Sequence, residues 1–456
     1  MNYFLAKTTT VYKNERDEWV IYNWLNTSYS ILFERQHPFY QFLESLKVNP
    51  SLRITRQPFA KHAADFDYLL TNHFLVDNDE IVKGEVTRRF NESRRSENTL
   101  LSLILLPAGE ACNFNCVYCY QDHSQKARMG TDHEVAIESL VTTRKPSSLQ
   151  IEYFGGEPLL NQSFISRLNR RLIQWCESNG STFASSATTN GYLLDDNALK
   201  NLYEVGVRNF QITLDGLAQH HNKLRFLANG KPTFDRIVAN LRNVVNRKDL
   251  EGLRIVIRVN FNQKTSNPTD IATYLDFIKE LTQGDARFSI LFRGIGDYAS
   301  RNDRTADQGC IVPSDLEEPL RHAYENAAHA RGLRLAESEL LVPFGASSCY
   351  AAKPNSFVIS PDWSLKKCTV ALDKPINDVG HLSKSGELML GDNFQKWIEP
   401  RIFGKNGCHD CHFVSQCQSN ACPLENMEQN ASVCPPQKHK PIRFVKHILK
   451  QEASYE

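Results

Sequence analysis

Three cysteines within eight residues, Cys112, Cys116 and Cys119, form the segment CNFNCVYC with the spacing Cys-x3-Cys-x2-Cys. Three thiolates on one short loop can bind three irons of a cubane 4Fe–4S cluster and leave the fourth iron without a protein ligand. An open iron is what a catalytic cluster needs, because substrate or cofactor must reach it. Structural zinc is the competing reading. It takes four ligands, usually as two Cys-x2-Cys halves, and only His123 stands nearby as a fourth. Seven more cysteines follow: Cys349, Cys368, Cys408, Cys411, Cys417, Cys422 and Cys434. Seven thiolates exceed the four of one site and fall short of the eight of two, so one cluster either keeps an open iron or takes Cys310. Zinc in a treble-clef arrangement is the alternative there. His409 and His412, interleaved with these cysteines, read as bystanders. Cys176 stands alone, as a small buried apolar residue would.

The elements that must position the first triplet follow from hydrophobic patterning. From Leu101 to about Gly296, six strand-like segments (LSLILLP, LQIEYFGG, STFASSATTNG, NFQITLDG, RIVIRVNF and RFSILFRG) alternate with helical stretches such as FISRLNRRLIQWCESN and TFDRIVANLRNVVN. Such alternation predicts βα units and a parallel sheet covered on both faces. The pattern fits an open doubly wound sheet or a partial barrel, and in either the chemistry sits at the C-terminal ends of the strands. The triplet falls just after the first strand. Ahead of it, VYKNERDEWVIYNWLNTSYSILF predicts two strands around a turn. HPFYQFLESLK and FAKHAADFDYLLTNHFLV show helical spacing, and Glu85–Thr99 predicts a linker or surface segment. Residues 310–345 predict helix. From Cys349 to Cys434 periodicity weakens, as in a loop-rich unit nucleated by metal, and KHKPIRFVKHILKQ predicts a short amphipathic helix packing on the body. The expected segments are 1–98, an α+β region; 99–310, the core; and 311–456, the cysteine-rich domain.

Composition narrows the class. The 456 residues suffice for about two to four domains. Apolar residues make up 41% and charged residues 23%, which argues against wholesale disorder. The formal net charge of +1 gives no electrostatic reason to expect a nucleic-acid or membrane partner. The longest apolar run is strand-length, and MNYFLAKTTT lacks the apolar region of a secretory signal. A cytoplasmic, reducing location is expected, where clustered cysteines mean metal or redox chemistry rather than disulfides.

The triplet with Tyr118, set after the first βα strand, resembles the radical S-adenosylmethionine (SAM) superfamily. FGGEP (Phe154–Pro158), TTNG (Thr188–Gly191), TLDG (Thr213–Gly216) and RVN (Arg258–Asn260) recur at successive strand ends, and Arg225 lies twelve residues past Thr213. The resemblance covers roughly residues 100–300. It implies a partial (β/α)6 TIM-like barrel of the α/β class. In such a barrel, electron transfer from the cluster cleaves SAM, and a 5′-deoxyadenosyl radical abstracts hydrogen from substrate. It also implies SAM contacts. The Tyr118 backbone would lie over adenine, with Gly155, Gly156 and Glu157 near the methionine amine. Thr213 would touch the ribose or methionine, Arg225 the methionine carboxylate, and Leu291 the adenine. Asn190, Asp215, Arg258 and Asn260 complete the cofactor-binding set.

The C-terminal cysteines are similar to the SPASM domain, the auxiliary-cluster module of peptide-modifying radical SAM enzymes. That pattern ends Cys-x2-Cys-x5-Cys-x3-Cys; here one extra residue precedes Cys422, and Trp363 stands where the family often has glycine. By this match Cys408, Cys411, Cys417 and Cys434 hold one cluster, and Cys349, Cys368 and Cys422 the other, making three 4Fe–4S clusters in all. Sulfatase maturases place an Asp directly after the second SPASM cysteine as base. Here Thr369 follows Cys368, and the nearest acid is Asp373, the candidate catalytic base. The resemblance implies a maturase that installs a thioether or carbon–carbon crosslink in a ribosomally made precursor peptide. Residues 1–98 would hold its leader segment, and flavodoxin or ferredoxin would supply electrons. The alternatives are a sulfatase-type maturase, a small-molecule oxidoreductase and a non-catalytic iron–sulfur carrier.

Overall fold

The computed structural model describes residues 1–26, 30–97, 99–121, 123, 126–296, 310–336, 348–399, 408 and 411–452. They fall into two compact units. One comprises residues 1–98, 337–354 and 395–456, the other 99–336 and 355–394. These units cut across the segments expected from the sequence. The last third of the chain is shared, because some of its strands join the core sheet while its cysteine-rich end folds with the N-terminal strands.

In the unit that holds the N-terminal region, β1 (Phe4–Leu5) pairs with β5 (Leu75–Val76), and β2 (Thr9–Lys13), β3 (Trp19–Asn23) and β4 (Ser30–Phe33) form an antiparallel sheet. The stretch expected as two strands holds three. A turn at Asn14–Asp17, with Asp17 at φ 62°, closes the first hairpin, and the chain reverses again between Asn23 and Ser30. All five residues of β3 are buried, which its two-residue period explains. Trp19 and Ile21 pack with Phe39, Phe42 and Leu43 of helix Pro38–Val48 and with Phe66 and Leu69 of helix Ala63–Thr71. Val20 and Tyr22 pack with Trp24, Phe413, Cys417 and, from the C-terminal helix Pro441–Glu452, Val445 and Ile448.

The segment from Glu85, expected as a linker or surface segment, lies in a helix, Asp79–Glu97. Its charges satisfy one another along the helix. Glu85 pairs with Arg88 at 2.6 Å and Arg89 at 2.7 Å, and Arg88 with Glu92 at 2.5 Å. Val82, Val86 and Phe90, four apart, form its buried stripe.

The other unit is a partial TIM-like α/β barrel. Its strands are β6 (Leu100–Leu105), β7 (Ser148–Tyr153), β8 (Thr182–Thr189), β9 (Val207–Thr213), β10 (Arg254–Phe261) and β11 (Phe288–Gly294). They lie parallel and in chain order, each joined to the next through helix. Alternate residues such as Leu103, Ile151, Phe210 and Ile257 are buried under the helices, while the opposite face is polar. Helix Ser314–His329 follows; residues 337–347 of the stretch expected as helix lie outside the described residues. β12 (Ser356–Ile359) then adds parallel to β6, and β13 (Ser364–Lys366), β14 (Asp378–Leu382) and β15 (Leu388–Leu390) extend the sheet antiparallel. In the β12–β13 turn Trp363 sits at φ 71°, a conformation that favours glycine. Its ring stacks on His133 at 3.9 Å between centroids and 14° between planes, which offsets the backbone cost. No helix among the described residues is long and apolar enough to cross a membrane.

Candidate active site

The loop carrying Cys112, Cys116 and Cys119 leaves the end of β6 and is braced from two sides. From below, Gly156 N–H donates to the Gly109 carbonyl at 3.1 Å, and Glu157 N–H to the Ala111 carbonyl at 2.9 Å. The approach is so close that a Cβ on Gly155 would lie 2.4 Å from Gly109 O, and one on Gly156 2.3 Å from both Glu110 O and Ala111 O. The two glycines therefore seat the loop that leads into the triplet. From the side, Asn115 N–H donates to Phe226 O and Val117 N–H to Leu224 O, both at 2.9 Å.

Glu157 is fully buried and its carboxylate is spent on the protein. It accepts from Leu159 N–H at 3.0 Å, the Thr189 hydroxyl at 2.7 Å and Asn190 N–H at 2.8 Å. Burial raises its pKa, and these hydrogen bonds oppose the rise. It ties the end of β7 to the end of β8. The Asn190 amide in turn donates to Asn113 Oδ1 at 2.8 Å, with Cys112 Sγ 3.8 Å away.

Tyr118, Asp215, Arg225, Arg258 and Asn260 converge. The Tyr118 hydroxyl donates to Asp215 Oδ2 and accepts from Arg225 Nη1 at 2.8 Å and the Asn260 amide at 3.0 Å. Asp215 Oδ1 accepts from Asn260 N–H at 2.7 Å, and Arg258 Nε donates to Asn260 Oδ1 at 2.8 Å. Burial raises the Asp215 pKa against the pull of Arg225. Burial works against the Arg225 charge, but Cys116, Tyr118 and Asp215 hold the guanidinium protonated. Arg225 Nε is buried without a hydrogen bond, its nearest carboxylate oxygen, on Asp215, being 4.0 Å away. A buried donor left over in this way suits an anionic group bound beside it. Thr213 ends β9, and Leu291 lies on β11 level with Arg258.

Two residues without a place in the sequence motifs complete this network. Asp215 N–H donates to His221 Nδ1 at 3.1 Å, so the imidazole proton is on Nε2, which faces the Thr233 hydroxyl at 3.1 Å. That hydroxyl donates to the Arg225 carbonyl at 2.7 Å. His221 thus links the turn that carries Asp215 to the segment that carries Arg225.

The donor set fits iron better than free thiols. Burial, with Glu157 next, pushes the Cys112 thiol up to about 12, and burial pushes Cys116 up to about 11. A cation is needed to hold them as thiolates. Burial raises Cys119, but the hydrogen bond and charge of His123, the Gln121 backbone and the Arg225 charge together outweigh it, and the thiol lies below its ordinary value. His123 Nδ1 lies 2.6 Å from the Glu110 carbonyl, so that nitrogen is engaged with backbone. Cys310 is buried among Val117, Leu224 and Ile295, and Cys176 is buried on helix Gln162–Asn179.

Of the later cysteines, Cys368 belongs to the barrel unit. Asn377 holds its loop: Oδ1 accepts from Lys367 N–H and Cys368 N–H, both at 2.9 Å, and the amide donates to Cys368 O at 2.7 Å. Asp373, on the same loop, is exposed. The other six lie in the unit with the N-terminal region. Cys349 N–H donates to Asn420 O at 3.0 Å, which ties it to the segment before Cys422. Cys411 N–H donates to Cys408 O at 3.2 Å. Burial pushes the Cys417 thiol up to about 12, with Cys411, Cys408 and Cys434 close enough to add to the rise. Lys438 Nζ lies 3.0 Å from Cys434 Sγ as donor. His409 lies outside the described residues; burial lowers the pKa of His412.

Comparison with known proteins agrees with this geometry. Residues 106–258 match the family model described as the radical SAM superfamily. The GTP 3′,8-cyclase of Microcystis aeruginosa is 29% identical over 158 residues, 34% of this chain and 43% of that enzyme, so the match spans less than half of it. The GTP 3′,8-cyclase of Trichormus variabilis is 26% identical over 303 residues, 62% of this chain and 84% of that enzyme. Among solved structures, native anSMEcpe with bound AdoMet and Cp18Cys peptide superposes with a TM-score of 0.54 at 17% identity, covering 77% of this chain and 97% of that one. Likeness at that identity is one of fold.

Proposed function

Taking as premise that residues 106–258 are a radical SAM domain, we propose that this enzyme modifies a short genetically encoded peptide, forming a thioether or carbon–carbon crosslink. Cys112, Cys116 and Cys119 would hold the SAM-cleaving 4Fe–4S cluster. When bound, cluster and SAM together supply a 5′-deoxyadenosyl radical. The chain's own part is placement. Gly155 and Gly156 seat the cluster loop, Asn190 approaches Cys112, and Arg225 offers its spare N–H to an anionic end of the cofactor.

The observation that carries the peptide reading is the shared core of the N-terminal sheet and the cysteine-rich segment. The Ser415 hydroxyl and the Gln416 amide donate to the Trp24 carbonyl at 2.8 and 2.6 Å. Trp24 packs on Phe413 with centroids 4.8 Å apart. Cys408, Cys411, Cys417 and Cys434 would hold an auxiliary cluster on that core, and Cys349, Cys368 and Cys422 a second. The antiparallel β2–β3–β4 sheet supports a leader-peptide role, since a sheet edge can take an added strand. A crosslink made by losing two hydrogens is a net oxidation, which auxiliary clusters suit. Flavodoxin or ferredoxin is the proposed electron donor.

A second reading, chemistry on a small molecule, is favoured by the 303-residue match to a GTP 3′,8-cyclase. One experiment separates the two. Reduced, reconstituted protein is given SAM with either GTP or the short peptide encoded beside its gene, and products are weighed by mass spectrometry. Peptide lighter by two hydrogens, with 5′-deoxyadenosine formed in step, supports the first reading. Turnover of GTP with the peptide unchanged overturns it.

A further inference from the structure

The six parallel strands of the barrel turn alternate side chains toward its interior, and those positions are mostly polar: Gln150, Ser186, Thr188, Gln211 and Arg258 among them. Among the inward positions of these strands one acid stands, Glu152 on β7. It is level with Ile104 on β6 and Ser186 on β8. Its Oε1 accepts from the Thr188 hydroxyl at 3.2 Å. Among the described residues it has no ion-pair partner. Two buried carboxylates of the site are engaged: Glu157 by three hydrogen bonds, Asp215 by Tyr118 and Asn260. Burial raises the Glu152 pKa, and the Thr188 hydrogen bond offsets part of that rise. A half-buried carboxylate that faces the barrel interior with one hydroxyl as its partner is electrostatically incomplete, and a bound cation completes it.

We propose that Glu152 is the receptor for a cationic group, an ammonium or guanidinium, of a molecule bound inside the barrel. Two sources have that chemistry: the ammonium of the methionine part of SAM, and a lysine or arginine side chain of the substrate. The inference rests on the radical SAM reading of the barrel and is independent of whether the substrate is a peptide.

Calorimetric titration of the anaerobically reconstituted full chain tests it, without turnover. The probes are SAM, a SAM analogue with hydroxyl in place of the amine, and n-butylammonium with 1-butanol as its neutral twin, the last two added with and without SAM. Loss of a buried charge partner costs about 2 kcal/mol or more, a factor of roughly 30 in affinity. If SAM is the source, Glu152→Gln binds SAM roughly 30-fold more weakly, and the hydroxyl analogue binds wild type and variant alike. If the substrate is the source, SAM binding is unchanged, while n-butylammonium binds wild type, fails to bind Glu152→Gln, and 1-butanol binds neither. Glu152→Asp, which keeps the charge, retains part of the affinity and guards against a folding defect. Equal binding of all probes by wild type and Glu152→Gln overturns the proposal, as does an equal loss for SAM and its hydroxyl analogue. Failure of wild type to bind SAM at all would instead count against the radical SAM reading, and the n-butylammonium arm would still decide the role of Glu152.

Discussion

His221 Nδ1 accepts the Asp215 N–H at 3.1 Å, and through Thr233 the same ring reaches the Arg225 carbonyl. One buried imidazole therefore sets the spacing between an acid and a base that both meet Tyr118. His221→Ala leaves a buried donor, Asp215 N–H, and a buried acceptor, the Thr233 oxygen, each short of a partner at about 1–3 kcal/mol. It is expected to weaken SAM binding about tenfold, and His221→Gln, which can accept and donate at the same two places, should restore most of it. Equilibrium dialysis with SAM measures both.

The same residue gives a pH dependence. Burial, and then the Arg225 charge, hold the His221 pKa well below its ordinary value. The unfolded chain takes up a proton below about pH 6.5 that the folded chain refuses. Stability from this site is therefore full above that pH and falls as the solution is acidified, by up to about 1.4 kcal/mol per pH unit. His221→Gln should flatten the decline in denaturant midpoint between pH 6.5 and 5; an unchanged slope would count against a neutral buried ring.

Gly156→Ala places a methyl 2.3 Å from two carbonyl oxygens of the loop that enters the triplet. The loop must move, at about 1–3 kcal/mol or more. Iron bound by the triplet and SAM cleavage are expected to fall together. Gly130→Ala, whose Cβ would meet nothing within 4 Å, is the matched control and should keep both.

Converting Cys112, Cys116 and Cys119 together to Ala should abolish 5′-deoxyadenosine formation and remove about four of about twelve irons. The remaining iron stays because its ligands lie elsewhere in sequence. A triple variant that still cleaves SAM would refute the assignment of the cluster.

Lys438 sits 3.0 Å from Cys434 Sγ. A cationic donor to a cluster sulfur favours the reduced state. Lys438→Met is expected to move one auxiliary signal to lower potential in an EPR-monitored redox titration and leave the others where they are.

Deletion of residues 1–95 is expected to cost more than peptide capture. Tyr12, Val20, Tyr22 and Trp24 share a core with Phe413 and Cys417. Without them the Cys408–Cys417 segment loses its packing, so about four irons should be lost as well. Iron analysis of the truncated chain decides this.

The barrel was legible because most of its strands are short apolar runs and most of its helices amphipathic, patterns that local sequence carries. The triplet, the two glycines and the residues after β8, β9 and β10 were legible as motifs. His221 and Thr233 were not, since each is an ordinary polar residue whose role exists only once helix Ala218–Leu224 and the turn before Phe234 meet. Asn377 and Lys438 were hidden for the same reason. That Glu85 onward continues a helix was not legible because charges dominate its composition, whereas their spacing pairs them. The three hydrogen bonds that Glu157 accepts from the ends of β7 and β8 were likewise outside what its motif carries.

The joint core of the two chain ends sets an order of events during synthesis. The face of the N-terminal sheet formed by Val20 and Tyr22 is made early, yet Phe413, Cys417 and Val445 cover it. About 390 residues must be added in between, roughly 20–80 s at ordinary elongation rates. Through that interval the nascent chain carries an uncovered aromatic surface, and the cysteines that follow Cys408 have no packed support on which to receive iron. Delivery of the auxiliary cluster proposed there would therefore belong after translation, and the waiting surface is where a chaperone would be expected to hold the chain.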